Sequence, residues 1–418
     1  MDDELITAAE PDAETEAEAE VDAEAEAEAE PSPRPAQPKR EQKNKPAAKR
    51  RSKQMQRFLT GVLTVLLVIL AVLVFVFRDA LSGESLRQHF GKENSVAPAR
   101  EAFTYETGAE QVFAPVGSGL AVASSSSVQL LDAGGKTVYK QVVSFELPAV
   151  FAGDEAALFC DLSGTDCIVV TMDGESRTLD NGRAVLTAGM NASGWFTVVT
   201  AEPGYKGLVS VYDADCEKRY EWWSGTGYVL GAAVSPDNRA LAVLCAEKSG
   251  TKLHLFSLSS ETQQAECSFD DVLLYDLYYM NSDTLCLLGE TGLTYVAPDG
   301  SIRGEYPIDG AYMLDYAFCP NFAALFVSDY RSGAGGTLVT LDSRGEVLGT
   351  QTLERDVVSL SASGKQLLVM TGGGLVQYDQ ALVRQYANET LMTAKRAILR
   401  PGGDILLLSA YSAERFSF

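Results

Sequence analysis

Val234-Ser235-Pro236-Asp237-Asn238-Arg239-Ala240-Leu241-Ala242-Val243 is the stretch whose reading decides the fold. Ser, Pro, Asp and Asn together are turn chemistry: Pro pre-sets φ, and Asp and Asn bond their own backbone and tolerate the left-handed region. The apolar run that follows is too short for a helix and reads as a buried strand. The unit is therefore strand, polar turn, apolar strand. Related copies run over 319–327 (CPNFAALFV), 361–370 (SASGKQLLVM) and 400–408 (RPGGDILLL). Fainter ones occupy 115–123 (PVGSGLAVA), 152–160 (AGDEAALFC), 191–199 (NASGWFTVV) and 281–288 (NSDTLCLL), which makes eight.

A second type of hairpin follows each copy but the last. Leu131-Asp132-Ala133-Gly134-Gly135-Lys136 is typical, and the others lie near 173, 213, 259, 299, 343 and 379, which makes seven. The repeat spacing of about 40 residues fits a propeller blade of four short strands. The chain ends at Phe418, still inside what would be the third strand of the eighth repeat, while residues 102–107 (AFTYET) form a spare strand before the first. Pairing that strand beside the C-terminal ones closes a ring and removes its exposed edge. The expectation is an all-β, eight-bladed propeller over 101–418, with seven blades as the alternative if the faint first copy is misread.

Upstream the composition changes. Residues 1–30 carry 14 Asp/Glu and no Lys or Arg, and residues 34–57 carry ten Lys/Arg against Glu41 alone. Such a segment buries too little apolar surface to offset the entropy of ordering it, so 1–57 is expected to be a disordered tail. Residues 58–77 hold no charge, and sixteen of the twenty are Leu, Ile, Val or Phe. A helix of that length reaches about 30 Å, the thickness of a hydrocarbon core. A span preceded by a 57-residue tail reads as an uncleaved anchor and not as a signal peptide. The basic cluster before it places the N-terminus in the cytoplasm, leaving 78–100 as a stalk and the propeller outside. The tail takes −5 of the net charge of −23, so the remainder is at −18 and nucleic acid is excluded as its partner.

Gly207-Leu208-Val209-Ser210-Val211-Tyr212-Asp213, then Glu221-Trp222-Trp223, then Val234-Ser235-Pro236-Asp237 resemble an uncharacterised bacterial family, chiefly Gram-positive. Its members are single-pass membrane proteins with a WD40-like propeller outside the cell. The resemblance implies that fold and location. It carries over no catalytic residue, because the family has no assigned activity, and the acidic Glu-Ala tail is not part of the resemblance.

Little in the chain points to chemistry. The two histidines are His89, in the expected stalk, and His254, which alternates with Leu253 and Leu255 in a strand. One imidazole in the propeller falls short of a triad or a zinc site. Gly333–Gly336 and Gly372–Gly374 neither open a helix nor supply the Lys of a phosphate loop, so no cofactor is expected. The seven cysteines are an odd number; Cys160 and Cys167 flank a turn and could face one another, while buried free thiols are the default reading. Asp276 and Asp315 occupy equivalent places in successive inner strands (LYDLYY and MLDYAF). They form either an acidic, tyrosine-lined channel mouth or a pair of caps on backbone amides between blades.

Three functions fit this reading. The first is a non-catalytic module whose loops present Tyr205, Lys206, Tyr330 and Arg331 to a protein or cell-wall partner. The second is a propeller enzyme, either a quinone-dependent dehydrogenase or a glycan hydrolase using paired carboxylates. The dehydrogenase needs tryptophan docking motifs between blades, and only Trp195, Trp222 and Trp223 exist. The third is a ligand sensor signalling across the membrane. Fold alone does not separate them.

Overall fold

The computed structural model of the chain describes residues 102–260, 262–333, 335–389 and 393–418. The expected tail, membrane span and stalk lie outside these residues. Among the described residues no helix is long and apolar enough to cross a membrane.

Among the described residues thirty-two strands form eight four-stranded antiparallel sheets, so the expectation of eight blades is borne out over the alternative of seven. Blades 1 to 7 span 112–142, 148–180, 185–223, 228–270, 274–307, 312–353 and 357–388. In each, strands a, b, c and d follow one another from the inner to the outer edge. Blade 8 takes its a, b and c strands from Arg396–Leu399, Ile405–Leu408 and Ser412–Phe416. Its d strand is Ala102–Thr104, paired antiparallel with Ser412–Phe416 through Phe103 opposite Ala413. The spare N-terminal strand does close the ring. It is shorter than the six residues expected: beyond Thr104 the Tyr105 N–H still bonds, to the Tyr411 carbonyl at 3.2 Å.

The apolar runs of the sequence are mostly the b strands. Gly119–Ala123, Ala156–Asp161, Phe196–Thr200, Thr284–Gly289 and Ile405–Leu408 are buried at every position. A blade has neighbours on both faces, so both sides of its middle strands are covered, and continuous hydrophobicity replaces alternation. The core is accordingly eight seams, one between each pair of consecutive blades. Leu158 and Cys160 pack toward blade 3, whereas Ala157 and Phe159 on the same strand pack toward blade 1.

The seam between blades 8 and 1 joins residues from both ends of the domain. Tyr105, Leu120, Val122 and Leu131 meet Ile398, Leu406, Leu408 and Ala413 there. Arg400, 1% exposed, crosses the same seam. Its guanidinium donates to the carbonyls of Ser118 and, at 3.3 Å, Ala133 in blade 1, and to Asp404 at 3.1 Å.

Candidate functional site: the face carrying the d–a and b–c connections

Strand direction alternates within a blade, so the d–a and b–c connections lie on one face of the disk and the a–b and c–d turns on the other. We call these the upper and lower faces. Tyr205 and Lys206 sit between strands b and c of blade 3, and Tyr330 and Arg331 between b and c of blade 6, so all four expected surface residues share the upper face. Their cations are engaged locally. Lys206 Nζ lies 4.6 Å from the ring centroid of Tyr228 and 3.2 Å from its hydroxyl. The Arg331 guanidinium lies 5.2 Å from the Tyr312 ring centroid. Such exposed cation–π contacts contribute about 0.5–1 kcal/mol, enough to orient a loop. Tyr228 and Tyr312 are each the first residue of an inner strand.

The inner strands of blades 3 to 7 share a feature that the sequence conceals. In each, the register slips by one residue near the upper end, between Val185 and Thr187, Val229 and Gly231, Leu274 and Asp276, Met313 and Asp315, and Val357 and Ser359. A bulge leaves its extra residue unpaired and bends the strand. The extra residues are Leu186, Leu230, Tyr275, Leu314 and Val358. Four of these large side chains are well exposed, at 45% for Leu186, 40% for Tyr275, 37% for Leu314 and 46% for Val358. The four exposed ones recur at the same inner-strand position, near the upper face, in blades 3, 5, 6 and 7.

The rest of the exposed apolar surface has the same polarity. Among the large apolar side chains exposed in the described residues, Ile302, Val347 and Val383 lie toward the lower face, and Tyr316 and Tyr386 lie within strands. The others are on upper connections or the strand ends beside them, as with Leu147, Leu273 and Tyr411.

In blades 5, 6 and 7 the residue just beyond the bulge bonds to the following blade. Asp276 accepts the Leu277 N–H at 2.8 Å and the Tyr316 hydroxyl of blade 6 at 3.0 Å. Asp315 accepts the Tyr316 N–H at 2.8 Å and the Leu360 N–H of blade 7 at 2.8 Å. Ser359 Oγ donates to the Ala397 carbonyl of blade 8 at 3.0 Å and accepts its N–H at 3.2 Å. In blade 4 the equivalent residue is Gly231, where a Cβ would stand 2.6 Å from the Leu277 side chain of blade 5. Burial pushes the carboxyl pKa of both aspartates up, against the pull of these hydrogen bonds. Of the two readings of the acids, the amide cap describes Asp315. Asp276 is bonded to the Tyr316 hydroxyl of the next blade, as a staple between blades.

His254 lies between aromatic rings, 5.1 Å from Trp222 and 6.3 Å from Phe256 between centroids. Its Nδ1 is buried without a hydrogen-bond partner, and burial pushes its pKa down, with Glu266 opposing. Among the described residues no group of three or more His, Cys, Asp or Glu is arranged to hold a metal ion.

With this geometry in place, residues 95–403 match DUF5711, a family of unknown function. The chain belongs to DUF5711. No curated protein matches it. Among solved structures, the C-terminal WD40 domain of Sif2 aligns over 75% of this chain and 97% of its own, with a TM-score of 0.53 and 9% identity. The computationally designed Ika8 protein aligns over 77% of this chain and 100% of its own, with a TM-score of 0.56 and 9% identity. At that identity the likeness is one of fold. The DUF5711 match covers the whole of blades 1 to 7 and enters blade 8.

Proposed function

We propose that this DUF5711 chain is a membrane-anchored, extracytoplasmic propeller that holds a protein or cell-envelope partner on its upper face and has no catalytic activity of its own. The observation that carries this reading is the one-sided exposure of apolar side chains, headed by the bulge residues Leu186, Tyr275, Leu314 and Val358. Exposed apolar side chains gathered toward one face suit an interaction site. Tyrosines at the loop tips suit such a site, since they supply large contact area with few rotatable bonds.

The two inner aspartates are bonded into the fold, Asp276 to the Tyr316 hydroxyl and Asp315 to the Leu360 N–H.

Topology is tested with a tag at residue 1 and external protease on intact, wall-stripped cells. The expected result is digestion of the propeller with the tag spared. A protected propeller overturns the orientation.

A further inference from the structure

Cys160 and Cys167 belong to the b and c strands of blade 2, Ala156–Asp161 and Asp166–Thr171, and stand directly opposite one another. The Met172 N–H bonds the Glu155 carbonyl at 2.8 Å, and the register from Ala156 to Cys160 is unbroken. Counting along that ladder puts Cys160 and Cys167 at a non-hydrogen-bonded position. There the Cα atoms stand about 4.5 Å apart and the side chains lie closest, within the span a disulfide bridges. Their sulfurs are 2.7 Å apart, and both residues are fully buried in the seam between blades 2 and 3.

The other five cysteines have different surroundings. Cys319 Sγ faces the carbonyls of Phe322 and Gly364, Cys245 faces Ser224, and Cys216 lies in a turn between strands c and d.

We infer that Cys160 and Cys167 form a structural disulfide that pins strands b and c of blade 2 together. The inference rests on the extracytoplasmic reading for the oxidising surroundings in which such bonds persist. In chemical terms, one thiolate attacks a donor disulfide, giving a mixed disulfide and one released donor thiol. The second thiolate then displaces the other donor thiol. The two cysteines lose two electrons to the donor disulfide, and their two protons end on the donor thiols. The donor is of the thiol–disulfide oxidoreductase or small-molecule disulfide class. Burial pushes the Cys160 thiol well above its ordinary pKa, with Cys167 beside it adding to the shift. A thiol so shielded is a poor nucleophile, so the exchange belongs to folding, before blade 3 covers the pair. Once covered, the bond is shielded from reductants.

The test uses the full-length chain from its native membrane, acid-quenched, denatured and alkylated without reduction, then digested for mass spectrometry. The expected result is alkylation at five of the seven cysteines and a linked peptide pair containing Cys160 and Cys167. Prior reduction should expose all seven. In a second arm the reduced full-length chain is refolded in a glutathione redox buffer, and the same pair should form. A pair that forms in that buffer but not in cells upholds the pairing and overturns the extracytoplasmic reading. Alkylation at all seven sites in both arms, or linkage to a different cysteine, overturns the inference. The single variants Cys160→Ser and Cys167→Ser should each free the other thiol for alkylation after unfolding.

Discussion

The Tyr105 hydroxyl donates to the carbonyl of Ser412 at 2.9 Å, across 307 residues of chain. The same hydroxyl reaches the Ser409 carbonyl at 2.7 Å, and its ring meets Phe113 edge-on at 5.4 Å between centroids. One side chain thus fastens the last b–c turn to the first inner strand. Tyr105→Phe keeps the ring and removes the one proton the two carbonyls share, while the Ser412 carbonyl keeps the Ser409 N–H at 2.8 Å. The expected loss is about 1–2 kcal/mol in urea unfolding. Deleting residues 102–107 should cost more, because it also strips Phe103 from the seam and bares the edge of Ser412–Phe416. An unchanged melting transition would show that the ring closes elsewhere.

Arg400 is the polar counterpart of that closure. Its guanidinium bonds two carbonyls of blade 1 from a fully buried position. Arg400→Ala should lower stability by about 2–4 kcal/mol, through lost charged hydrogen bonds and an unfilled space. Arg384→Ala, which removes an exposed pairing with Glu389, should change it by less than about 1 kcal/mol. Equal effects in denaturant titrations would mean that the buried arginine does not hold blades 8 and 1 together.

The two inner aspartates should part company on amidation. Asp276 accepts from one N–H and one hydroxyl, and an asparagine amide can serve there if the Tyr316 hydroxyl turns to accept. Asp315 accepts from two backbone N–H groups, one on each oxygen, so an amide nitrogen would face a donor. Asp276→Asn should therefore be near neutral at pH 7, and Asp315→Asn should cost about 1–3 kcal/mol. Both folded carboxyls have raised pKa values, so the folded state holds protons that the unfolded chain has released. Their contribution is fully present below the unfolded carboxylate range, about 3.9, and is lost as pH rises through the folded values. Thermal unfolding of both variants across pH 4 to 7 reads the contrast directly.

His254 gives the opposite slope. Its folded pKa is depressed, so the unfolded chain takes the proton first as pH falls. The stability it supports is present above about pH 6.5 and is lost as pH falls through the folded value. His254→Phe should flatten the stability profile between pH 7.5 and 5 without steepening it anywhere. A profile unchanged by the substitution would place the acid sensitivity elsewhere.

Much of this fold is legible in the turns. Asp-Asn, Asp-Gly and Pro-Asp stretches mark hairpins wherever the strands between them are buried on both faces, because turn chemistry is local while alternation disappears. Ring closure is legible too, from the mismatch between eight first hairpins and seven second ones. The bulges are not. A one-residue slip in Tyr228–Val234 or Tyr312–Cys319 leaves composition and period almost unchanged, yet it turns Leu314 outward and aims Asp315 at the next blade. Arg400 escapes for another reason: in Arg400-Pro401-Gly402-Gly403-Asp404 it looks like an ordinary turn cation, and only the curvature of the ring brings blade 1 onto it. The b–c loop residues Tyr205, Lys206, Tyr330 and Arg331 are legible as surface, but their common face depends on strand order.

Site-specific photo-crosslinking in intact cells shows whether a partner sits on the upper face. A photoreactive residue is placed in the full-length chain at Tyr330 or Val358 on the upper face, and at Val347 or Val383 toward the lower. All four are exposed, so introduction at each should leave folding intact. The expected result is a discrete crosslinked partner from the upper positions and none from the lower. The same adduct from the lower positions, at equal or greater yield, would contradict it.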